Sequence, residues 1–306
     1  MLTQTAFVPV ALAVPPVSDN DKKDTRKTDK SAAVQINSTP VTTVSAATFE
    51  SSAIAPDSIV AAFGDKLAVR TEVASGSLPT MLAGTTVKVR DSAGAERLAQ
   101  LFFVSPFQIN YLIPGETVTG AATVIVQSED GTISQGSLNV IAVAPALFTA
   151  NQNGQGVPAA NVLRVKTNGQ QIFESPSQIE PVTQRVIPKP IDLGPEGERV
   201  FLILYPTGLR RAADPNNDGN ANESARVVIG SRVITPDYAG ANPSFTGLDQ
   251  INVEIPRSLL GRGRVNLTVT GNGVGASNTC EIEIAGTPGA TPPQITSISA
   301  AGNLPG

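Results

Sequence analysis

The sequence predicts an all-β protein made of two β-sandwich domains in tandem, with a disordered N-terminal leader. Three observations lead to this prediction. Short apolar runs rich in β-branched residues alternate with turn residues, no segment longer than about ten residues keeps a helical period, and a seven-residue phrase occurs twice. The length of 306 residues is also typical of about two domains.

The predicted leader covers residues 1–45, where Ser, Thr, Asp, Lys and Val follow no period. It opens with MLTQTAFVPVALAVPP, which has an apolar run but no positively charged start, and so is a weak signal peptide as written. Its basic run KKDTRKTDK (22–30) is interrupted by Asp. We interpret that run as a solvated tail.

The first sandwich is predicted over residues 46–145. An Asp130-Gly131 pair between its last two strands favours a hairpin turn. The predicted strands are SIVAAF (58–63), TTVKVR (85–90), LFFV (101–104), QINYLI (108–113), ATVIVQS (122–128) and LNVIAV (138–143).

A hairpin and a Pro-rich connector are predicted over residues 146–198. The apolar pieces NVLRV (161–165) and QQIFE (170–174) flank Asn168-Gly169, another favourable hairpin turn. The stretch that follows, IEPVTQRVIPKPIDLGPEGE, is dense in Pro, which favours extended backbone at sheet edges.

The second sandwich is predicted over residues 199–286, and residues 287–306 follow it as a linker with a possible strand. The alternation of Ile and Ser at 294–299 predicts the first strand of a further module or a strand docked on a sheet edge, with a frayed tail as the alternative. The strands predicted for the second sandwich are RVFLILY (199–205), ARVVIG (225–230), SRVITP (231–236), QINVEI (250–255), RVNLTVT (264–270) and CEIEIA (280–285).

The repeated phrase is QINYLIP at Gln108–Pro114 and QINVEIP at Gln250–Pro256. Five of the seven letters match, and the positions differ by 142 (250 against 108). Strands of the same kind flank both copies in the same order, so we interpret them as a domain duplication. The Gln and Asn amides suit a structural corner where a strand begins, and a repeated ligand contact is the alternative.

Composition excludes several chemistries. The chain has no His, which removes Ser-His-Asp and Cys-His catalysis and His-based zinc or iron sites. The single Cys280 begins the alternating run CEIEI, which turns the thiol inward as a structural residue. No carboxylate pair stands out for glycosidase chemistry. We expect a protein that is not an enzyme.

Charge and hydropathy limit the partners. The formal net charge of −4 argues against a nucleic-acid partner, which normally meets a basic face. No run reaches the roughly 18 apolar residues of a membrane-spanning helix. We expect neither nucleic-acid binding nor a membrane span.

One loop, DPNNDGNANES (214–224), has the oxygen spacing of a calcium site. Calcium takes six to eight oxygen ligands from a tightly curled loop, and a Gly at the sixth position allows that curl. The acid expected at the twelfth position is missing, because Ala225 stands there. An ordinary loop rich in Asx turns is the alternative. The candidate metal ligands are Asp214, Asn216, Asp218, Asn220, Asn222 and Glu223.

Several phrases together are specific, namely APDSIVAAFG, LPTMLAGTTVKV, LFFVSPFQINYLIP, VAPALFTANQNGQG and LYPTGL. Over roughly residues 45–285 the chain thereby resembles the Solibacter uncharacterised C-terminal domain family, found at the ends of large secreted or surface bacterial proteins. The resemblance implies export and a pair of immunoglobulin-like modules, and it implies no catalytic residue.

The sequence thus predicts a non-enzymatic, extracellular or cell-surface module with a structural or adhesive role in a bacterial protein. The alternative is a calcium-assisted carbohydrate- or protein-binding module centred on residues 214–223. Either role predicts a cell-surface glycan or a protein as the partner.

Overall fold

The computed structural model describes residues 38–51 and 53–286. The predicted leader up to residue 37 and the predicted linker and strand at 287–306 lie outside the described residues. In the described part the regular elements are β-strands, apart from one 3-10 turn at Arg257–Leu259. The all-β prediction is confirmed. None of the described residues belongs to a helix long and apolar enough to cross a bilayer.

The first sandwich contains strands β1 to β10. Their bounds are β1 Thr39–Ser45, β2 Ile59–Gly64, β3 Glu72–Val73, β4 Met81–Leu82, β5 Thr85–Arg90, β6 Glu96–Leu98, β7 Gln100–Val104, β8 Gln108–Leu112, β9 Gly120–Gln127 and β10 Ile133–Val140.

Two layers make up this sandwich, and β1 belongs to both. One layer runs β3-β7-β8-β2-β1, and the other runs β1-β10-β9-β5-β4, with β6 paired to β5. β1 pairs antiparallel with β2 and parallel with β10. The neighbours β7-β8-β2-β1 and β5-β9-β10 reproduce the strand order of an immunoglobulin-like sandwich.

The rest of the described chain contains strands β11 to β25. Their bounds are β11 Ala146–Leu147, β12 Ala160–Val165, β13 Gln171–Glu174, β14 Ser177–Ile179, β15 Val186–Pro188, β16 Pro190–Ile191, β17 Arg199–Leu204, β18 Pro206–Thr207, β19 Ala225–Ile229, β20 Arg232–Ile234, β21 Tyr238–Ala241, β22 Asp249–Glu254, β23 Gly263–Gly271, β24 Val274–Ala276 and β25 Cys280–Ile284.

The second sandwich repeats the layers of the first. One layer runs β13-β12-β17-β22-β21, and the other runs β16-β25-β23-β19-β20, with β24 paired to β23. β14 and β15 form a separate hairpin, while β11 and β18 form a two-stranded sheet of their own. The prediction of two tandem sandwiches is therefore confirmed.

The duplication extends to the register of strand pairing. In the first sandwich Ala61 lies opposite Asn110, and in the second Ile203 lies opposite Asn252. Both partners are shifted by the same 142 positions, the shift that separates the two QIN phrases. The phrases therefore occupy equivalent places, on β8 and β22.

Alternating apolar residues fill both cores. On β5, Val87 and Val89 are buried while the Lys88 between them is only partly covered. On β19, Val227 and Ile229 face the second core in the same way. A strand turns alternate side chains to one face, so this spacing places each apolar set between the layers.

The structure corrects the predicted end of the leader, because residues 39–45 form β1. Val41 and Val44 are 5% and 7% exposed, and Thr43 and Ser45 are buried as well. The segment looked unstructured because Thr and Ser supply most of its letters. The segment nevertheless forms the first strand, because Val41 and Val44 are buried and its backbone pairs with both layers.

The structure also moves the predicted start of the second sandwich from residue 199 to Ala160. β12 pairs with β17 as β1 pairs with β2, and β16 pairs parallel with β25 as β1 pairs with β10. The first strand of this sandwich is thus divided into two pieces. Residues 166–189 are an insertion between them, and the predicted connector is largely part of the domain.

Candidate functional site

The predicted calcium loop lies in the second sandwich, between β18 and β19. Asn217 and Gly219 have φ angles of 53° and 82°, which curl the chain through the left-handed region. The loop forms because its Asx side chains can bond the backbone a few residues further on.

The two Asp side chains of the loop bond its own backbone. Asp214 accepts hydrogen bonds from the backbone N–H of Asp218 at 3.3 Å and of Gly219 at 2.8 Å. Asp218 accepts one from the N–H of Asn220 at 2.9 Å. These are Asx-turn contacts, in which the carboxylates already have hydrogen-bond partners.

Asn220 fixes the loop to the neighbouring strand β21. Its Oδ1 accepts from the N–H of Asn222 at 3.2 Å and of Ala239 at 2.9 Å. Its Nδ2 donates to the carbonyl oxygen of Asp237 at 3.2 Å. This side chain therefore has a structural role in the loop.

The remaining candidates close the loop. Asn216 Nδ2 donates to Glu223 Oε1. The Oδ1 of Asn222 is enclosed and has no hydrogen-bond partner among the described residues. Within the described ranges, no three His, Cys, Asp or Glu side chains are grouped so that they could hold a metal ion. To bind calcium, the loop would have to exchange its internal hydrogen bonds for contacts with the ion.

The repeated QIN phrases share one side-chain contact. Gln108 Nε2 donates to Asn110 Oδ1 at 2.9 Å, and Gln250 Nε2 donates to Asn252 Oδ1 at the same 2.9 Å. Residues two apart lie on one face of a strand, which brings the two amides together. The two amides were predicted at a structural corner where a strand begins, and this contact between them was not foreseen.

The two sandwiches meet at a joint, which we define as the sheet of β11 and β18 and the apolar cluster around it. β11 pairs antiparallel with β18, so that Ala146 lies opposite Thr207. The cluster buries side chains from both sandwiches, namely Ala46, Ala47, Ile59, Leu112, Ala146, Phe148, Ala159 and Leu248, with Phe102, Tyr205 and Phe245 at its margin.

Polar contacts also join the two sandwiches. The N–H of Ile59 donates to Thr207 Oγ1 at 2.9 Å, and that hydroxyl donates to the carbonyl oxygen of Gly247 at 3.0 Å. Arg211 Nε lies 3.1 Å from Asp57 Oδ2, and its Nη2 donates to the carbonyl oxygen of Gly115 at 2.7 Å. The buried hydroxyl and the ion pair thus bond the second sandwich to the first.

Three of the phrases quoted in the first subsection meet at this joint. APDS contributes Asp57, VAPALF contributes β11, and LYPTGL contributes β18 and Gly208. Gly208 has a φ of 81°, and a Cβ there would lie 2.2 Å from the carbonyl oxygen of Ala144. Sequence reasoning singled out these phrases but did not place them together, because their partners lie far apart in the chain.

A buried carboxylate stands beside the joint. Asp249 is fully buried, its Oδ2 accepts from the N–H of Leu209 at 2.7 Å, and its Oδ1 lies 3.1 Å from Arg210 Nε. Burial raises the pKa of Asp249 to about 6, against the opposing effect of Arg210.

We expect the stability of the protein to fall between about pH 4 and pH 6 through this group. Its pKa is higher in the folded state than in the unfolded chain, so its contribution is complete below about pH 4 and lost as the pH rises through about 6. The loss is on the order of 2–3 kcal/mol. Urea unfolding of the wild type and of Asp249→Asn across this range measures it. The free energy of unfolding should fall less steeply with rising pH in Asp249→Asn than in the wild type. The same pH dependence in both proteins would show that Asp249 is not its cause.

Cys280 lies in the core as predicted. It is 1% exposed, and burial raises the pKa of its thiol to about 12. A thiol in this state is not a nucleophile at neutral pH.

No family model matches the chain. No curated protein matches it either. Among solved structures, it is similar to a surface glycan-binding protein (SGBP-B) of the Bacteroides ovatus mixed-linkage glucan utilization locus, with a TM-score of 0.31 and 11% identity. The match covers 76% of this chain but only 42% of that one. A tetra-tandem repeat from the extending region of a large adhesion protein has a TM-score of 0.18 and 12% identity, covering 81% of this chain and 74% of that one.

Proposed function

We propose that this chain is a non-enzymatic structural or adhesive β-sandwich module of a bacterial protein at the cell surface or outside the cell. In this role the two sandwiches act as a spacer that holds neighbouring parts of the protein at a fixed distance. The joint is the observation that supports the proposal.

Domains within one chain move against each other unless their interface is large and apolar. The joint combines an apolar cluster, a two-stranded sheet and the Arg211–Asp57 ion pair. Thr207 is 1% exposed, so the hydrogen bond it accepts from Ile59 across the joint, and the one it donates to Gly247 within its own sandwich, are shielded from water. Buried hydrogen bonds of this kind are costly to break, which favours one fixed arrangement.

The second candidate function is a calcium-assisted module that binds a carbohydrate or a protein through residues 214–223. The enclosed Oδ1 of Asn222 favours it, since a buried acceptor without a partner is a place for a cation or a donor. The internal hydrogen bonds of Asp214 and Asp218 favour the spacer instead.

Calcium and a chelator separate the two functions. For the spacer we expect that 5 mM calcium (about a hundredfold above a 50 µM dissociation constant) leaves the melting temperature of the chain unchanged, because binding at such an excess would add about 2.7 kcal/mol of stability. A glycan array probed with and without EDTA should then show no EDTA-sensitive binding. Calcium-dependent stabilisation or glycan binding that is lost in Asp214→Ala, and kept in the matched control Asp130→Ala, would favour the second function.

A further inference from the structure

A cavity of about 400 Å³ lies between the two sandwiches, beside the joint. The first sandwich supplies one wall from β3, β7 and β8, and the loop between β21 and β22 supplies the other. The side chains that decide its character are Val73, Leu78, Phe102, Asn110, Phe245 and Thr246. A cavity of this size, at a domain boundary and largely apolar, is of the kind that holds small ligands.

The cavity wall carries no charge. Its lining, all of it within the described residues, contains no Asp, Glu, Lys or Arg. A charged ligand would lose its hydration there without gaining a partner, so the cavity favours a neutral one. The partly buried rings of Phe102 and Phe245 stand on opposite sides of the domain boundary, and aromatic rings pack well against other flat rings.

The wall from the second sandwich is held in place by its own hydrogen bonds. Asn242 Oδ1 accepts from the N–H of Ser244 at 2.9 Å and of Phe245 at 3.0 Å. Gly247 has a φ of 79°, and a Cβ there would lie 2.5 Å from Leu112 of the first sandwich. The loop therefore packs closely on the first sandwich, and the cavity is already formed without a ligand.

Asn110 provides one unused hydrogen-bond donor in this cavity. Its side chain is 4% exposed, and it lines the cavity, so its small accessible part opens into that space. Its Oδ1 accepts from Gln108, and its Nδ2 has no hydrogen bond to another described residue and is not fully enclosed. An N–H that faces an apolar cavity favours a ligand that brings an acceptor.

We propose that this cavity binds an uncharged aromatic molecule of one or two rings, with an oxygen atom that accepts a hydrogen bond from Asn110. The flat rings would pack between the aromatic walls, and the acceptor would satisfy the free amide N–H. This binding does not depend on the spacer role, because the chain can hold a ligand whether or not it spaces other domains.

The second copy of the phrase provides a matched control. Asn252 accepts the same hydrogen bond from Gln250, but it is only partly buried. The position equivalent to Leu112 of the joint is Glu254, which pairs with Arg199 at 2.5 Å on the exposed surface. The Asn of the phrase therefore lines a cavity in the first sandwich, whereas its equivalent in the second is only partly buried.

Coumarin is a suitable probe, since it is neutral, has two fused rings and carries a carbonyl acceptor. Titration into the ¹⁵N-labelled full chain should give saturable shifts that centre on the cavity and include the side-chain amide of Asn110. Coumarin-3-carboxylate, which is similar in shape but anionic, should bind at least about tenfold more weakly because the wall offers no cation.

Asn110→Asp keeps the Oδ1 that accepts from Gln108 but replaces the Nδ2 donor with a carboxylate oxygen. This variant should bind coumarin about tenfold more weakly or worse. The matched Asn252→Asp should bind like the wild type. Ala74 also lines the cavity. Ala74→Phe should fill that space and abolish binding, which keeps the test decisive if Asn110→Asp unfolds. Unsaturable or scattered shifts, or full binding by Ala74→Phe, would overturn the proposal.

Discussion

Replacing Ile109 or Ile251 by Ala is expected to lower the free energy of unfolding by about 2–5 kcal/mol in each case. Both side chains are 0% exposed, one in each core. Truncation removes buried methyl groups and leaves a cavity that packed neighbours cannot fill. Because the two residues occupy equivalent places, we expect losses of similar size.

Urea unfolding followed by circular dichroism measures both losses. Val182→Ala is the matched control, since its side chain is 90% exposed and should change stability by less than about 0.5 kcal/mol. Wild-type stability of Ile109→Ala and Ile251→Ala would mean that the phrases do not anchor the cores, and the structural interpretation of the repeat would fail.

Gly136→Ala is expected to destabilise the first sandwich by about 3–5 kcal/mol, because β1 would have to leave β10. A Cβ on Gly136 would lie 1.9 Å from the carbonyl oxygen of Val41, a backbone atom that cannot rotate away. Moving β1 also exposes Val41 and Val44, which are now buried.

Hydrogen exchange of the β1 amides checks this result directly. We expect their protection to fall in Gly136→Ala and to stay as in the wild type in Ser137→Ala, a change at the exposed neighbour on β10. Unchanged protection in Gly136→Ala would show that β1 does not need its place beside β10.

The sequence was most informative where alternation was strong. TTVKVR and ARVVIG were predicted as strands, and they form β5 and β19 with alternate residues inward, Val87 and Val89 on β5 and Val227 and Ile229 on β19. The repeated phrase predicted the duplication. The duplication extends to the strand register, since Ala61 pairs with Asn110 in the first sandwich and Ile203 pairs with Asn252 in the second. Local patterns sufficed there, because burial between two layers imposes a period of two.

Strands were missed where pairing with distant strands, and not a local apolar pattern, makes the segment regular. β1 carries two spaced Val residues among Thr and Ser, and only its pairing with both layers makes it regular. β16 is two residues long and was assigned to a connector because the stretch around Pro190 is dense in Pro. Its parallel pairing with β25 is visible only in three dimensions.

The joint and the cavity could not be predicted from the sequence either. Thr207, Asp57 and Arg211 are ordinary polar residues, and their contacts join parts of the chain that no local pattern connects. Residues 214–224 were predicted as a candidate calcium loop with an ordinary Asx-turn loop as the alternative, and the spacing alone did not show that Asp214 and Asp218 bond the backbone of the loop. Asn110 was noted as part of a repeated phrase. The cavity that it lines forms only because residues of the second sandwich supply the opposite wall.

The fixed joint is the central claim, and the distance between the two sandwiches tests it most directly. Spin labels at Ser137→Cys and Val233→Cys occupy exposed positions on different sandwiches, while the buried Cys280 stays unlabelled. Pulsed electron–electron double resonance should give one narrow distance distribution, and Gly208→Val, which forces the joint open, should broaden it. A broad or two-peaked distribution in the otherwise unaltered chain would show that the sandwiches move independently and would contradict the spacer.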